Sequence, residues 1–333
     1  MNRILLILKG MAMGAADVVP GVSGGTIAFI SGIYEELIES IRSIDVNAFK
    51  LLFKKGPIAF WETINGNFLF SVFLGIGISV LGLSKLISYL LENEPVLLWS
   101  FFFGLILISI FSVGGQINQW KKQGIAAIIL GCALSYYVSI ATPTQGPEST
   151  LVLFFYGFIA IIAMILPGIS GAFILLLLGA YSTIIQIVNS FRTSLTEVDL
   201  ASVGFYGFKL LVFMAGCLAG LLAFSRVLSW MFKHYRDTTL ALLTGFMIGS
   251  LNKIWPWKET IESRVAHAGK ENEAIVPFIQ ENVWPWNYDN LNDVEKMLSI
   301  VPDKNPEILA AVMVMTAGAT IMLILDKYSP DNE

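Results

Sequence analysis

Two apolar segments of this chain are broken at the same place by the same residues, which restricts the folds open to it. The segments are Ala16–Tyr34, ADVVPGVSGGTIAFISGIY, and Ala163–Tyr181, AMILPGISGAFILLLLGAY. When Pro20 is aligned with Pro167, seven of the fifteen positions up to Tyr34 are identical without a gap. Proline cannot donate a backbone hydrogen bond and glycine weakens a helix, so each segment should form two helical arms separated by a break. The duplicated break indicates an internal repeat.

The chain is also apolar enough to reside in a membrane. Its 333 residues are 55% hydrophobic and 14% charged, whereas soluble domains average about 45–50% and about 25%. Two cysteines exclude a disulfide scaffold, and a net charge of −4 argues against a nucleic-acid partner. Six apolar stretches approach the length of roughly 20 residues that a helix needs to cross a bilayer. They are 68–91, 96–113, 125–141, 206–232, 238–255 and 308–325.

A fainter similarity extends the repeat beyond the broken segments. Gly75–Ser109 aligns with Gly216–Ser250 without a gap, and this alignment places Lys85 on Arg226. We therefore predict two halves, each with one broken hairpin followed by three crossings. The halves are 1–142, with its hairpin at 4–42, and 151–333, with its hairpin at 151–191 and an outer loop at 256–306.

Each broken segment could return to its own side of the membrane or cross it once, and the basic residues distinguish the two models. If both segments return, eleven Lys and Arg residues lie on one face and two on the other, the asymmetry typical of a cytoplasmic face. If each segment crosses, that asymmetry disappears. The eleven are Arg3, Lys9, Arg42, Lys50, Lys54, Lys55, Lys121, Lys122, Lys233, Arg236 and Lys327, and the two are Arg192 and Lys209.

The charge asymmetry therefore predicts two re-entrant hairpins and cytoplasmic termini. Three crossings in each half make the halves opposite in orientation. The predicted fold is an all-α polytopic membrane protein with two inverted-topology repeats, each a re-entrant helical hairpin plus three transmembrane helices. Inverted repeats are typical of secondary transporters.

The breaks are the predicted substrate site. A helix that restarts after a break directs free N–H groups and the positive end of its dipole into the break, an arrangement that suits a phosphate. Proline and glycine should hold each break open while serine and the following residues contact the anion. Alternatively, the small residues serve only to let helices pack closely. The residues of this site are Pro20, Gly21, Ser23, Gly24, Gly25 and Thr26 in the first half, and Pro167, Gly168, Ser170 and Gly171 in the second.

Three charged residues complete the predicted site. Lys85 and Arg226 fall inside predicted crossings at equivalent positions of the repeat. The predicted substrate cavity between the breaks would therefore have one cation near each of its two openings. The alternative for both is that their long side chains reach back to the membrane surface. Asp17 precedes the first break, where the second half has Met164, and is a candidate carrier of a coupling proton. The alternative for Asp17 is a helix N-cap or a helix-end charge at a water-filled vestibule.

Enzymatic chemistry finds little support in the sequence. The two histidines, His234 and His267, lie in different predicted loops, and no GxxxxGK[ST] nucleotide-binding motif is present. We therefore expect no catalytic residue, no metal and no cofactor.

The motif DVVPGVSGGTIAFISGIYEELI, together with MILPGISGAFILLLLGAY, resembles the polyprenyl-phosphate transporters, a bacterial and archaeal membrane family long described as a domain of unknown function. The resemblance covers nearly the whole chain except the outer loop. It implies a flippase of the cytoplasmic membrane that returns undecaprenyl phosphate from the outer to the inner leaflet for cell-envelope synthesis. A coupling proton or sodium ion would drive it. A small-anion channel or exchanger, and a lipid-phosphate hydrolase, remain as alternatives, and the oligomeric state and prenyl length stay open.

Overall fold

The computed structural model of the chain describes residues 3–19, 21–141, 149–266, 274–288 and 306–327. Within these ranges three helices are long and apolar enough to cross a membrane, or up to five if each of two bent helix pairs is one crossing. The chain is therefore a predominantly helical membrane protein, as predicted. Its helices are α1 Arg3–Val18, α2 Gly24–Ile30, α3 Tyr34–Arg42, α4 Val46–Lys55, α5 Pro57–Thr63, α6 Gly66–Gly82, α7 Ser84–Asn93, α8 Pro95–Gly115, α9 Lys122–Ile140, α10 Thr150–Ile165, α11 Gly171–Leu177, α12 Tyr181–Thr196, α13 Leu200–Ser250 and α14 Ile308–Lys327.

The duplicated motif forms the same backbone structure twice. In the first half α1, α2 and α3 follow one another, and in the second half α10, α11 and α12 do so, with α2 and α11 each seven residues long. The corners before α2 and α11 are made by Gly21 at φ 91° and Gly168 at φ 81°. Only glycine adopts such angles without strain. The corners after these helices contain Gly32 at φ 70° and Gly179 at φ 69°, so the glycines that the two segments share have a common conformational role.

Three predicted crossings differ from the helices observed. The stretch 68–91 is divided between α6 and α7, which meet at Leu83. The stretches 206–232 and 238–255 both fall largely within α13, where Tyr235 has non-helical angles (φ −140°, ψ 46°). No glycine or proline occurs between Phe232 and Thr238, so the chain changes direction at a single residue without forming a loop.

Among the described residues, glycines bring four pairs of long helices into close contact. An added Cβ at Gly75 of α6 would overlap the Ile7 carbonyl oxygen of α1, and one at Gly216 of α13 would overlap that of Phe154 in α10. Gly104 of α8 is equally close to α14, and Gly131 of α9 to the part of α13 that follows Tyr235. Such backbone approach is the usual way in which helices associate in lipid, where apolar surface alone drives little association.

The pairing exchanges helices between the two halves of the chain. Both α1–α6 and α10–α13 join neighbours within one half, whereas α8 of the first half packs on α14 and α9 packs on the second part of α13. Each half thus supplies one partner to each of the last two pairs. The two predicted halves, 1–142 and 151–333, are therefore not two separately packed bodies.

The outer loop contains strands, which the all-α prediction did not include. β1 (Lys258–Ala266) and β2 (Ala274–Asn282) form an antiparallel pair, followed by a 3-10 turn at Pro285–Asn287. The indole N–H of Trp257 donates to the Pro306 carbonyl at 2.8 Å, and its ring packs with Val96 and Ala311. These contacts attach the loop to the first turns of α8 and α14.

Candidate functional site

The two breaks, which are predicted to form the substrate site, are in direct contact. The hydroxyl of Ser23 donates to the Met164 carbonyl, and the Gly168 amide donates to the Thr26 hydroxyl at 2.9 Å. Gly25 lies so close to the Ile165 carbonyl oxygen that a Cβ could not be added. Ser23, Thr26 and Ser170 are buried, while Pro20 lies outside the described residues. The two breaks therefore pack directly against each other.

Side chains from α3 and α9 complete the junction. The Tyr34 hydroxyl donates to the Ile165 carbonyl at 3.2 Å, and the Ser135 hydroxyl donates to the Gly168 carbonyl at 3.5 Å. Tyr34 packs edge-on to Phe29 and Phe232. The breaks are thus held by hydrogen bonds to the carbonyl groups that a broken helix leaves without partners.

At the first break the chain satisfies its own helix terminus. The Asp17 carboxylate accepts a hydrogen bond from the Gly24 amide at 2.7 Å, and the Ser23 hydroxyl oxygen accepts one from the Gly25 amide at 3.1 Å. A Cβ at Gly24 would lie 2.5 Å from an Asp17 oxygen. The capping role that the sequence left open for Asp17 is therefore the contact observed, and the predicted anion position at α2 holds the protein's own carboxylate.

At the second break the equivalent carboxylate is missing because Met164 takes its place. The Ser170 hydroxyl accepts from the Phe173 amide at 3.5 Å, which caps α11. In the part of the chain that the structure describes, no acceptor lies within hydrogen-bond distance of the Gly171 and Ala172 amides. The two breaks are alike in backbone and different in charge.

Two lysines that the sequence analysis did not select lie beside the breaks. The stem of Lys253 packs on Gly21, where a Cβ would be 2.8 Å from its Cγ, and its Nζ lies 4.0 Å from the centre of the Phe173 ring in α11. Lys258 places its Nζ 3.7 Å from the centre of the Trp99 ring and donates to the Lys253 carbonyl at 2.6 Å. These two residues form a cation pair where the end of α13 meets the outer loop.

Burial weakens the hold of both lysines on their protons. It lowers the pKa of Lys253 to about 8, and together with the charge of Lys253 it lowers the pKa of Lys258 well below its usual value. Both rings face the ammonium groups with their negative π surfaces, which offsets part of the cost of burial. An anion placed beside the pair would favour the charged forms. Lys253 lies near the end of the predicted crossing 238–255, but no local pattern of the sequence connects it or Lys258 with the breaks.

The predicted cations Lys85 and Arg226 lie elsewhere. Both are exposed, and Arg226 donates to the Leu222 carbonyl of its own helix at 2.9 Å. The pKa of Asp45, at the start of α4, is lowered mainly by its hydrogen bond from the Ala48 amide, and Arg226 contributes to this shift. Among the contacts of the described residues, none joins Lys85 or Arg226 to the breaks, so their roles remain predictions.

A network of charged residues lies at the end of the first hairpin that is far from the breaks. Glu39 accepts from Ser229 at 2.6 Å and pairs with Lys233 at 2.9 Å and Arg42 at 2.7 Å. The end of α3 and the bend of α13 therefore lie at the same end of the molecule. Lys9, one of the eleven basic residues predicted on the cytoplasmic face, is instead 2% exposed and donates to the Ser31 carbonyl at 2.6 Å.

Comparison with known proteins identifies the family. A family model described as undecaprenyl phosphate translocase-like matches residues 13–272. A polyprenyl-phosphate transporter of Vibrio cholerae serotype O1 is 43% identical over 329 residues, which cover 99% of this chain and 98% of that protein. A polyprenyl-phosphate transporter of Staphylococcus aureus is 33% identical over 264 residues, covering 75% of this chain and 85% of that protein.

No solved structure matches the chain. The names of the family and of both relatives indicate a transporter rather than an enzyme. Among the described residues, no group of three or more His, Cys, Asp or Glu side chains is placed to hold a metal ion. The match to the family model over most of the length, with the near full-length similarity to the Vibrio protein, shows that the chain belongs to the undecaprenyl phosphate translocase-like family.

Proposed function

We propose that this chain is a secondary transporter that moves polyprenyl phosphate, in particular undecaprenyl phosphate, from the outer to the inner leaflet. The observation that carries the proposal is the contact between two helix breaks beside the partly buried cation pair Lys253 and Lys258. Such a site suits a phosphate headgroup, while the prenyl tail stays in the lipid. Movement in this direction returns the carrier lipid to the cytoplasmic side of the membrane for a new round of envelope synthesis.

The direction of α1 relative to α6 supports the re-entrant topology. If the first hairpin returns to its own side, α6 starts where α1 starts and the two helices run parallel; if the hairpin crosses, they run antiparallel. Gly10 lies against Val72, and Gly14, one turn later, lies against Ile76. The order is parallel.

The second half shows the same order. Gly216 of α13 lies against Phe154 of α10, and Gly220 lies against Phe158. Together with the asymmetry of basic residues, the two parallel pairs support inverted repeats and cytoplasmic termini.

The phosphate would bind at the second break. Lys253 and Lys258 supply the positive charge, and Ser170, Gly171 and Ala172 supply donors at the start of α11. Ser23, Gly24, Gly25 and Thr26 form the facing wall. Lys85 and Arg226 would act before and after this step, as cations on the outer and inner approaches.

Asp17 offers a route to ion coupling. Its carboxylate occupies the Gly24 amide in the structure. A protonated carboxyl is a weaker acceptor than a carboxylate, so protonation would free this donor for the phosphate and remove a negative charge from its surroundings. Lipid movement would then follow the proton gradient.

The test is movement of polyprenyl phosphate across the membrane of proteoliposomes that contain the full chain. We expect Lys253→Gln to lower the initial rate at least tenfold, because the headgroup loses a partly desolvated cation. Lys209→Gln is the matched control, since Lys209 lies over the Phe205 ring at 4.5 Å, away from the breaks. Asp17→Asn should remove the dependence on a transmembrane pH difference.

Each alternative has its own readout in the same vesicles. Equal rates for the parent chain and Lys253→Gln would remove the cation pair from the site. Flux of inorganic anions without lipid movement would indicate a small-anion exchanger, and release of inorganic phosphate from the lipid would indicate a hydrolase. Arg226→Ala and Ser170→Ala, measured beside these variants, test the remaining predicted contacts.

A further inference from the structure

Helices α4 and α5 follow the first hairpin and contribute almost nothing to the core. Ala48 is the one buried residue of α4, and α5 has none. The two helices meet at Gly56, whose φ of 89° suits glycine, and Pro57 begins α5. They form an exposed element whose order core packing does not explain.

The exposed side chains of this element are apolar. Phe53 is 85% exposed, Ile58 74% and Val46 70%. Phe49 stacks obliquely on Phe60 with ring centres 5.5 Å apart. An apolar surface of this kind on a protein is typical of contact with lipid or with another molecule.

The apolar surface continues onto the side of α6 that faces outward. The Trp61 ring lies 6.3 Å from the ring of Phe70, which is 58% exposed on α6. The axes of α5 and α6 differ by 75°. If α6 crosses the bilayer, α5 runs nearly in the plane of the membrane surface.

Lysines lie beside this surface. Lys50 directly follows Phe49, Lys54 directly follows Phe53, and Lys55 ends α4. All three are exposed, and the ion pairs found among the described residues do not include them. A helix with aromatic residues on one face and lysines at its border lies in the headgroup region, with the lysine stems reaching outward to phosphates.

We propose that α4 and α5 form a docking surface for the anionic phospholipids of the bilayer, in the leaflet where α1 and α6 begin. Phe53, Ile58 and Trp61 lie among the upper acyl chains, and Lys50 and Lys54 bind headgroup phosphates. The occupant is bulk anionic phospholipid rather than the transported lipid, because the residues of the breaks do not contribute to this surface. The inference rests on the membrane location of the chain and is independent of the transport mechanism.

Native mass spectrometry of the full chain in detergent tests this surface. The probe is phosphatidylglycerol, with phosphatidylcholine as the neutral comparison. Because each lysine near a membrane surface contributes about fivefold to binding of anionic lipid, Lys50→Gln combined with Lys54→Gln should weaken phosphatidylglycerol binding by up to roughly 30-fold. Phosphatidylcholine binding should not change.

The matched control is Lys121→Gln combined with Lys122→Gln, which removes two exposed lysines at the start of α9. An equal loss in both double variants would reduce the effect to net charge and overturn the proposal. So would unchanged phosphatidylglycerol binding. If the variant instead lost binding of added polyprenyl phosphate and kept phosphatidylglycerol, the surface would belong to the transported lipid. All four substitutions are on exposed side chains, so folding is preserved.

Discussion

At the scale of single residues, Lys253 can attract an anion only while it holds its proton. Burial lowers its pKa to about 8, so part of its charge is lost in mildly alkaline solution. A bound phosphate favours the charged form and raises this pKa. Binding that requires the proton is therefore complete below about pH 8 and declines as the pH rises from the lysine pKa of the free protein toward that of the complex.

We predict that binding of polyprenyl phosphate weakens up to tenfold for each pH unit above 8 and that Lys253→Arg removes this decline. Arginine stays protonated throughout this range. The measurement is lipid binding between pH 7 and pH 10 in detergent. A decline of the same size in Lys253→Arg and in the parent chain would assign the titration to another group.

Asp17 and Lys253 also show what a sequence can and cannot reveal about a site. The breaks were predictable because proline and glycine act on the backbone locally, and Ser23 and Ser170 follow them directly. The placement of Lys253 and Lys258 depends on how the outer loop folds back over Trp99. No local pattern encodes that contact, so these residues were missed.

At the scale of helices, glycines decide which surfaces meet. Gly75 and Gly77 lie on the same helix, but a Cβ at Gly75 would overlap the Ile7 carbonyl oxygen whereas one at Gly77 would have nothing within 4 Å. Comparing alanine substitutions at the two positions therefore separates the effect of helix packing on stability from the effect of helix propensity. The general preference of helices for alanine over glycine is the same at both positions.

Gly75→Ala should destabilise the folded protein by about 1–3 kcal/mol, because the added methyl group forces α1 and α6 apart. Gly77→Ala should be neutral or slightly stabilising. Thermal unfolding in detergent, followed by loss of the monodisperse peak in size-exclusion chromatography, compares the two. A lower midpoint for Gly77→Ala than for Gly75→Ala would contradict the proposed packing of α1 on α6.

Helix boundaries were less predictable than helix contacts within the motif. The apolar stretch 68–91 gave no sign of the division at Leu83, since leucine is a good helix former. The bend at Tyr235 likewise has no neighbouring glycine or proline from which it could be predicted. Both features depend on packing against other helices. The hydropathy of a single segment carries no information about that packing.

At the scale of the whole molecule, the topology can be tested by labelling from the two sides of the membrane. In a chain with Cys132 and Cys217 replaced by serine, we introduce Arg3→Cys, Asn47→Cys or Glu94→Cys. The re-entrant model predicts that a membrane-impermeant maleimide labels residues 3 and 47 from one side and residue 94 from the other. Labelling of residues 3 and 47 from opposite sides would show that the first hairpin crosses.

The intertwined pairing of helices has a consequence for how the molecule is made. While the first half emerges from the ribosome, the glycine faces of α8 and α9 have no partner, because theirs are α14 and the second part of α13. Neither face can be covered by its final neighbour until most of the protein has been inserted. The first half is therefore inserted with these glycine faces uncovered, and their packing is completed only when α14 has joined α8.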